Sequence, residues 1–126
     1  MAGRPARGEP VSLPGLVPGR PGLVVLLGPE CRACRALVPR LLAARERLPV
    51  LVGVGPGAGA EGLAAEVGAT PGLWEELHPR WAPRLTPLLV AVGADGRVAW
   101  ADVGDGETLD AAVAALLRTT TPLRPG

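Results

Sequence analysis

The feature that most constrains the fold is a helical pattern placed between two short apolar runs. Residues 23–27 and 50–54 are apolar stretches with β-branched residues, and glycine or proline bounds each of them. Such runs are typical of strands buried on both faces of a sheet. Between them, apolar residues recur three and four positions apart from Cys34 to Leu42, which predicts a helix beginning near Cys31. The order strand, helix, strand favours a parallel crossover.

Pro39 lies inside this first helical pattern, where a proline removes a hydrogen bond and crowds the preceding turn. We therefore expect a kink there. The helix is expected to stop near residues 48–49, where Leu is followed by Pro.

The second half of the chain predicts a short helix with a further helical turn or two after it, then a hairpin and a final helix. Residues 55–59 form a glycine-rich loop before a short helical pattern that ends at Gly68, and further helical turns precede Pro83. Apolar runs flank Asp95-Gly96, and an Asp-Gly pair between two strand patterns is a strong hairpin signal. The clearest amphipathic helix follows, with Asp105 placed to cap its start.

The length of 126 residues predicts one domain. Proline and glycine crowd the start, so we expect residues 1–10 to be disordered, the domain to span residues 11–118, and residues 119–126 to form a tail. Residues 11–16 are a candidate for pairing with an edge strand of the sheet. Phe and Tyr are absent, so the core must consist mostly of Leu, Val and Ala.

Charge and hydropathy exclude several classes of partner. The net charge is +1, and the arginines are scattered instead of forming a stripe, so no nucleic-acid surface is indicated. The longest apolar runs are far shorter than the roughly 20 residues of a membrane-spanning helix. Proline and glycine interrupt the start before a signal-peptide core forms. We expect a cytoplasmic monomer without a membrane segment.

The chain has two cysteines, in the motif Cys31-Arg-Ala-Cys34, directly after a predicted buried strand and at the start of a helix. This context is typical of a redox motif. The unpaired backbone amides and the dipole at the start of the helix favour a thiolate at Cys31, and Arg32 and Arg35 add positive charge nearby. The Glu30 carboxylate disfavours a second negative charge. The expected net result is a lowered pKa of Cys31. Cys34, one turn further, should be more buried and act as the resolving thiol.

The order β, α, β, α, β, β, α, with Cys-x-x-Cys at the first strand-to-helix junction, resembles the thioredoxin superfamily. Pro39 after the motif and Thr86-Pro87 before the third strand belong to the same resemblance, which spans residues 11–118. Residues 11–16 (VSLPGL) and 86–98 (TPLLVAVGADGRV) are similar to the TlpA and MauD-like thiol-disulfide oxidoreductase branch. The resemblance implies an α/β thioredoxin-like fold, with a central mixed sheet of about four to five strands flanked by helices.

By this resemblance, Pro87 is a cis-proline facing the cysteines, and Thr86 offers backbone hydrogen bonds to an extended substrate segment. The chain departs from the family pattern in two ways. Pro29-Glu30 stands where an aromatic residue usually precedes the first cysteine, and residues 23–27 carry no acid on the strand before the motif. The resemblance implies a protein-disulfide oxidoreductase without a cofactor. Its partners are disulfide-containing or dithiol proteins and a thiol reductant of unknown identity.

Other interpretations of the cysteines stay open. A zinc site needs four ligands, which the two cysteines and the lone His78 do not supply, whereas a Cu(I) site from two thiolates remains an alternative. A thioredoxin-fold binding or assembly module without catalysis is another. His78 is expected at the surface, which disfavours Cys–His hydrolase chemistry. The three tryptophans are expected to pack in the core or at its rim, with Trp81 a less favoured wall of a substrate groove.

Overall fold

Helices and strands follow one another in the order that the sequence predicts, and the further helical turns expected before Pro83 form a helix of their own. The protein is described by a computed structural model, which covers residues 5–81 and 85–119. The strands in this part of the chain are β1 (Gly22–Leu27), β2 (Val50–Val54), β3 (Leu88–Val92) and β4 (Val98–Val103). The helices are α1 (Arg32–Arg45), α2 (Ala60–Val67), α3 (Leu73–Trp81) and α4 (Gly106–Thr119).

The described strands form one mixed sheet of four strands in the order β2-β1-β3-β4. β1 pairs in parallel with β2 and antiparallel with β3, and β4 completes an antiparallel hairpin with β3. The parallel pair across α1 and the hairpin around Asp95-Gly96 are both as predicted. The expected α/β architecture with a mixed central sheet is therefore confirmed.

Alternating side chains of the sheet feed two separate cores. On one face, Leu23, Val25 and Leu27 of β1 pack with apolar residues of α1, α2 and α4. On the other face, Val24 and Leu26 pack with α3 and with residues 11 and 13 of the N-terminal segment. β1 is completely buried, and each fully buried Leu or Val side chain contributes roughly 1.5–3 kcal/mol. This central strand therefore gives the motif that follows it a rigid base.

α1 differs in detail from the prediction. It ends at Arg45, before the predicted stop at residues 48–49. Pro39 lies inside the helix with its side chain exposed, and the kink expected there stays a prediction. The Arg45 guanidinium donates to the carbonyl oxygens of Val50 and Val67, at 3.3 and 2.7 Å. These bonds tie the end of α1 to the start of β2 and to the end of α2.

The N-terminal segment contacts the sheet through backbone hydrogen bonds from Gly8 onward, ahead of residue 11, where the sequence predicts the domain to begin. Gly8 N–H donates to the carbonyl oxygen of Val98, and Val98 N–H donates to that of Glu9, at 2.8 and 2.9 Å. The Glu9 carboxylate accepts from Trp81 Nε1 and from Arg80, both at 3.0 Å. These contacts begin inside the segment that the sequence predicts to be disordered, because the β4 edge and the buried indole N–H supply partners that no local pattern reveals.

The helix ends follow the predicted capping chemistry. Gly68 ends α2 in the left-handed conformation, and Asp105 Oδ1 accepts from Thr108 N–H at 2.9 Å at the start of α4. α4 ends at Thr119, and residues 120–126 of the predicted tail lie outside the described residues. None of the helices described here has the length and apolar content needed to cross a bilayer.

Candidate active site

Cys31 occupies the residue just before α1, where a helix usually carries a serine or aspartate cap. Its backbone is extended, and its Sγ accepts a hydrogen bond from Cys34 N–H at 3.1 Å. A sulfur in this position satisfies one of the unpaired amides of the first turn and lies at the positive end of the helix dipole. The side chain is half-buried, so the sulfur remains within reach of a partner.

Cys34 lies one turn further and is completely buried, on the face of α1 that packs against the sheet. Its Sγ accepts from Gly28 N–H at 3.4 Å. Burial, together with the hydrogen bond to the Cys31 side chain, raises the pKa of Cys34 to about 12. This thiol therefore stays protonated where the outer thiol does not.

The pKa of Cys31 lies below the ordinary thiol value of 9.0. Partial burial raises this pKa, but hydrogen bonds from the side chains of Cys34 and Thr86 and from the backbone N–H groups of Cys34 and Ala33 outweigh the burial. Such bonds stabilise the thiolate over the thiol. The lowered pKa and the hydrogen bonds from first-turn amides agree with the sequence expectation, and the bonds from the Cys34 and Thr86 side chains are additional causes.

The charged residues predicted to tune Cys31 are all exposed. The Arg35 guanidinium lies 3.9 Å from the Glu66 carboxylate on α2. Glu30 faces the loop after β2, with its Oε2 3.7 Å from the place that a Cβ would take on Gly57. The roles predicted for Glu30, Arg32 and Arg35 in tuning the thiol stay predictions.

Thr86 lies beside Cys31, and the peptide bond between Thr86 and Pro87 is cis, as the resemblance implies. The Cys31 thiol lies 3.6 Å from the carbonyl oxygen of Thr86. Antiparallel pairing of β1 with β3 places the end of β1, before the motif, next to the start of β3. The sheet therefore brings the four predicted catalytic and substrate-binding residues, Cys31, Cys34, Thr86 and Pro87, to the end of the sheet where β1 stops and β3 begins.

A shallow, open depression of about 280 Å³ surrounds the outer sulfur. It is lined by Gly28, Pro29, Glu30, Cys31, Pro56 and Thr86. Two of these residues were missed by the sequence analysis. Gly28 N–H donates a hydrogen bond to the Cys34 sulfur, and a Cβ at position 28 would lie 3.0 Å from Thr86 Oγ1. Pro56 reaches the site from the loop after β2. A glycine between a buried strand and the motif was the available signal for the first, whereas only the fold places the second.

The remaining polar and aromatic candidates lie elsewhere. His78 is exposed and stacks on Trp74, with ring centroids 5.4 Å apart, on α3. Trp81 is 1% exposed and packs in the core, so it does not form a groove wall, and Trp100 packs against the core on the α1 face. Within residues 5–81 and 85–119, no acid is buried beside Cys34, and no three His, Cys, Asp or Glu side chains form a group able to hold a metal ion.

Comparison with known proteins places the fold. No protein-family model matches the sequence, and no curated protein sequence matches it. Solved structures do match: a thioredoxin-like protein in its oxidised form has a TM-score of 0.67 at 15% identity, covering 90% of this chain and 96% of its own. A thioredoxin-family thiol:disulfide interchange protein from Chlorobium tepidum TLS has a TM-score of 0.61 at 18% identity, covering 89% and 98%. A secreted Mycobacterium tuberculosis disulfide oxidoreductase has a TM-score of 0.57 at 20% identity, covering 79% and 84%.

These likenesses confirm the thioredoxin-like fold. The site adds a Cys-x-x-Cys pair at the start of the helix that follows the central strand. Fold and site together define a thioredoxin-fold protein with a dithiol motif. The three matched structures are described as a thioredoxin-like protein, a thiol:disulfide interchange protein and a disulfide oxidoreductase.

Proposed function

We propose that the protein is a thiol–disulfide oxidoreductase that reduces or exchanges disulfides in partner proteins through Cys31 and Cys34. The single observation that carries the proposal is the unequal environment of the two sulfurs. Cys31 is half-buried with a lowered pKa, whereas Cys34 is buried with a pKa raised to about 12. Exchange chemistry needs one accessible thiolate and one protected thiol, and the pair has this asymmetry.

In the first step, the Cys31 thiolate attacks one sulfur of a partner disulfide. A bond forms between Cys31 Sγ and that sulfur, the partner disulfide breaks, and the other partner sulfur leaves as a thiolate that takes a proton from water. The bonds from Cys34 N–H and Thr86 hold the attacking sulfur in place. Thr86-Pro87 lies beside it, where it can contact the extended segment that carries the disulfide.

In the second step, Cys34 loses its proton and attacks Cys31 Sγ. The mixed disulfide breaks, the partner leaves with its second thiolate, and a Cys31–Cys34 disulfide remains. The partner has gained two electrons, and the protein has lost two. Since no acid is buried beside Cys34 within the described ranges, water or the departing partner thiolate accepts the Cys34 proton.

The finer assignments rest on the sequence resemblance and on the sequence-based expectations, and not on the geometry of the site. We place the protein in the TlpA and MauD-like branch and assign it the reducing direction, as a cytoplasmic monomer recharged by a thiol reductant. A compartment with a glutathione and thioredoxin poise favours thiols and sets this direction. The Cys31–Cys34 reduction potential, measured against that poise, decides between reductase and oxidase.

An insulin-reduction assay with a thiol donor tests the proposal. We expect wild-type protein to accelerate reduction, and the Cys31→Ser variant to give only the rate of the donor alone. Equilibration across glutathione buffers, followed by mass spectrometry, should show reversible loss of two hydrogens from wild-type protein. Absence of both turnover and this disulfide would overturn the proposal in favour of a binding module.

A further inference from the structure

We propose that Glu30 selects partner segments that carry a basic residue next to the disulfide under attack. This inference rests on the proposed function and specifies its substrate class. It concerns the depression around Cys31, which any segment must cover to bring a disulfide sulfur to the Cys31 sulfur.

Glu30 is the only charged residue among the six that line this depression. The other lining groups besides the cysteine are two prolines, one glycine and one threonine. The carboxylate lies on the side of the depression formed by the loop after β2, close to Gly57. Among the described residues that line the depression, a segment laid across Cys31 therefore meets the Glu30 carboxylate as the one charged group besides the reactive sulfur itself.

The Glu30 carboxylate has no cation bound to it in the part of the chain that the structure describes. The ion pairs found there join Arg35 to Glu66, Arg40 to Asp110 and Arg80 to Glu9. The Arg35 side chain is directed to α2, and its guanidinium lies 3.1 Å from the place of a Cβ on Gly59. Arg32 is exposed and does not line the depression. The carboxylate is thus available to a partner.

Docking changes the environment of this carboxylate. Water keeps the charge solvated in the free protein, but a bound segment displaces part of that water, and a carboxylate without a compensating partner then raises the free energy of the complex. A lysine or arginine beside the partner cysteine compensates the charge, whereas an acidic residue there adds repulsion. Glu30 therefore favours basic segments and rejects acidic ones.

Three disulfide peptides test the inference. They share one sequence and differ only in the residue next to the attacked cysteine, which is Lys, Ser or Glu. For each protein variant, kcat/KM is divided by its value for the Ser peptide, so that any change in Cys31 reactivity cancels. With wild-type protein, we expect the Lys peptide to be reduced about threefold faster than the Ser peptide, and the Glu peptide to be slower than both.

Variants of neighbouring charges give the controls. Glu30→Gln should bring the three ratios together, and Glu30→Lys should reverse their order. Arg32→Gln, which removes a charge of the opposite sign two positions away and outside the depression, should leave the three ratios at their wild-type values. Added salt should reduce the wild-type preference, because an exposed ion pair is screened.

The outcomes separate this inference from the proposed function. If wild-type protein reduces all three peptides at equal rates, the selectivity of Glu30 is wrong and the oxidoreductase assignment stands. If Arg32→Gln strengthens the preference for the Lys peptide by as much as Glu30→Gln weakens it, the overall surface potential is responsible and the inference is overturned. If no peptide is reduced, both proposals fail.

Discussion

The sulfur of Cys31 lies 3.6 Å from the carbonyl oxygen of Thr86, although the two residues are 55 positions apart in the chain. One belongs to the start of α1 and the other to the segment before β3, and the pairing of β1 with β3 brings them together. In the proposed mechanism, a partner disulfide that reaches Cys31 therefore also approaches Thr86, so the attack and the docking of the partner use one small surface.

Cys34→Ser is predicted to trap the partner covalently. Without the buried thiol, the mixed disulfide on Cys31 has no internal attacker, so it persists until an external thiol cleaves it. Non-reducing electrophoresis and mass spectrometry of the variant with a disulfide protein should show an adduct at Cys31. The matched variant Cys31→Ser should form no adduct; if it traps the partner and Cys34→Ser does not, the roles of the two cysteines are reversed.

Alkylation of the reduced protein is predicted to be selective and dependent on pH. Because the pKa of Cys31 lies below 9.0 and that of Cys34 is raised to about 12, iodoacetamide at pH 8 should modify Cys31 and spare Cys34. Peptide mapping after timed alkylation measures both rates. In denaturant the two cysteines should react alike, and preferential modification of Cys34 in the folded protein would contradict the assignment.

The raised pKa of Cys34 also links stability to pH. The folded reduced protein holds this proton more tightly than the unfolded chain, whose thiol has the ordinary value of 9.0. This contribution is complete below pH 9.0 and is lost as the pH rises through the folded value of about 12. The free energies of unfolding of reduced wild-type protein and of Cys34→Ser, both measured by urea titration, should therefore converge in that alkaline range.

Leu85 is predicted to support docking of protein partners. Its side chain is 68% exposed and directly precedes Thr86, beside the attacking sulfur. We expect Leu85→Ser to raise KM several-fold for a protein disulfide, since apolar contact with the partner is lost, while the reaction with a small neutral disulfide changes little. Leu42→Ser, on an α1 residue that is 42% exposed, is the control and should leave KM unchanged. Equal effects of the two variants would refute a docking role.

Gly53 is predicted to be required for packing under α3. A Cβ at this position would lie 2.9 Å from both Trp74 N and Leu26 Cδ2, and the first of these is a backbone atom that cannot rotate away. Gly53→Ala should lower the free energy of unfolding by ~1–3 kcal/mol in urea titrations. Gly62→Ala, in α2 with no atom within 4 Å of the added Cβ, should instead raise it by up to about 1 kcal/mol. A neutral Gly53→Ala would show that α3 shifts freely.

Much of the local structure was readable from residue patterns. The apolar run of β1 and the spacing along α1 predict a strand followed by a helix, and the Asp95-Gly96 pair predicts the hairpin that joins β3 to β4. Each of these signals lies within a few neighbouring residues. The proposed division of roles between Cys31 and Cys34 also follows from helix geometry, because the first turn exposes one sulfur and buries the other.

Other features depend on contacts between distant segments. The bond from Trp81 to Glu9, the approach of Pro56 to the site and the contact between Thr86 and Cys31 join parts of the chain that no local pattern relates. The causes of the lowered pKa of Cys31 belong to this group in part. The sequence predicted the backbone amides of the first turn of α1, and the structure shows hydrogen bonds from them; the bond from the Thr86 side chain comes from a distant segment that no local pattern reveals.

The sequence by itself determined the order of helices and strands, the burial of the central strands on both faces of the sheet, and the place of the two cysteines at the start of α1. The physical reason is that periodicity, capping and turn chemistry act over a few residues. Only the tertiary structure decided which loops surround Cys31 and where the Glu30 carboxylate lies, because sheet pairing brings together residues tens of positions apart.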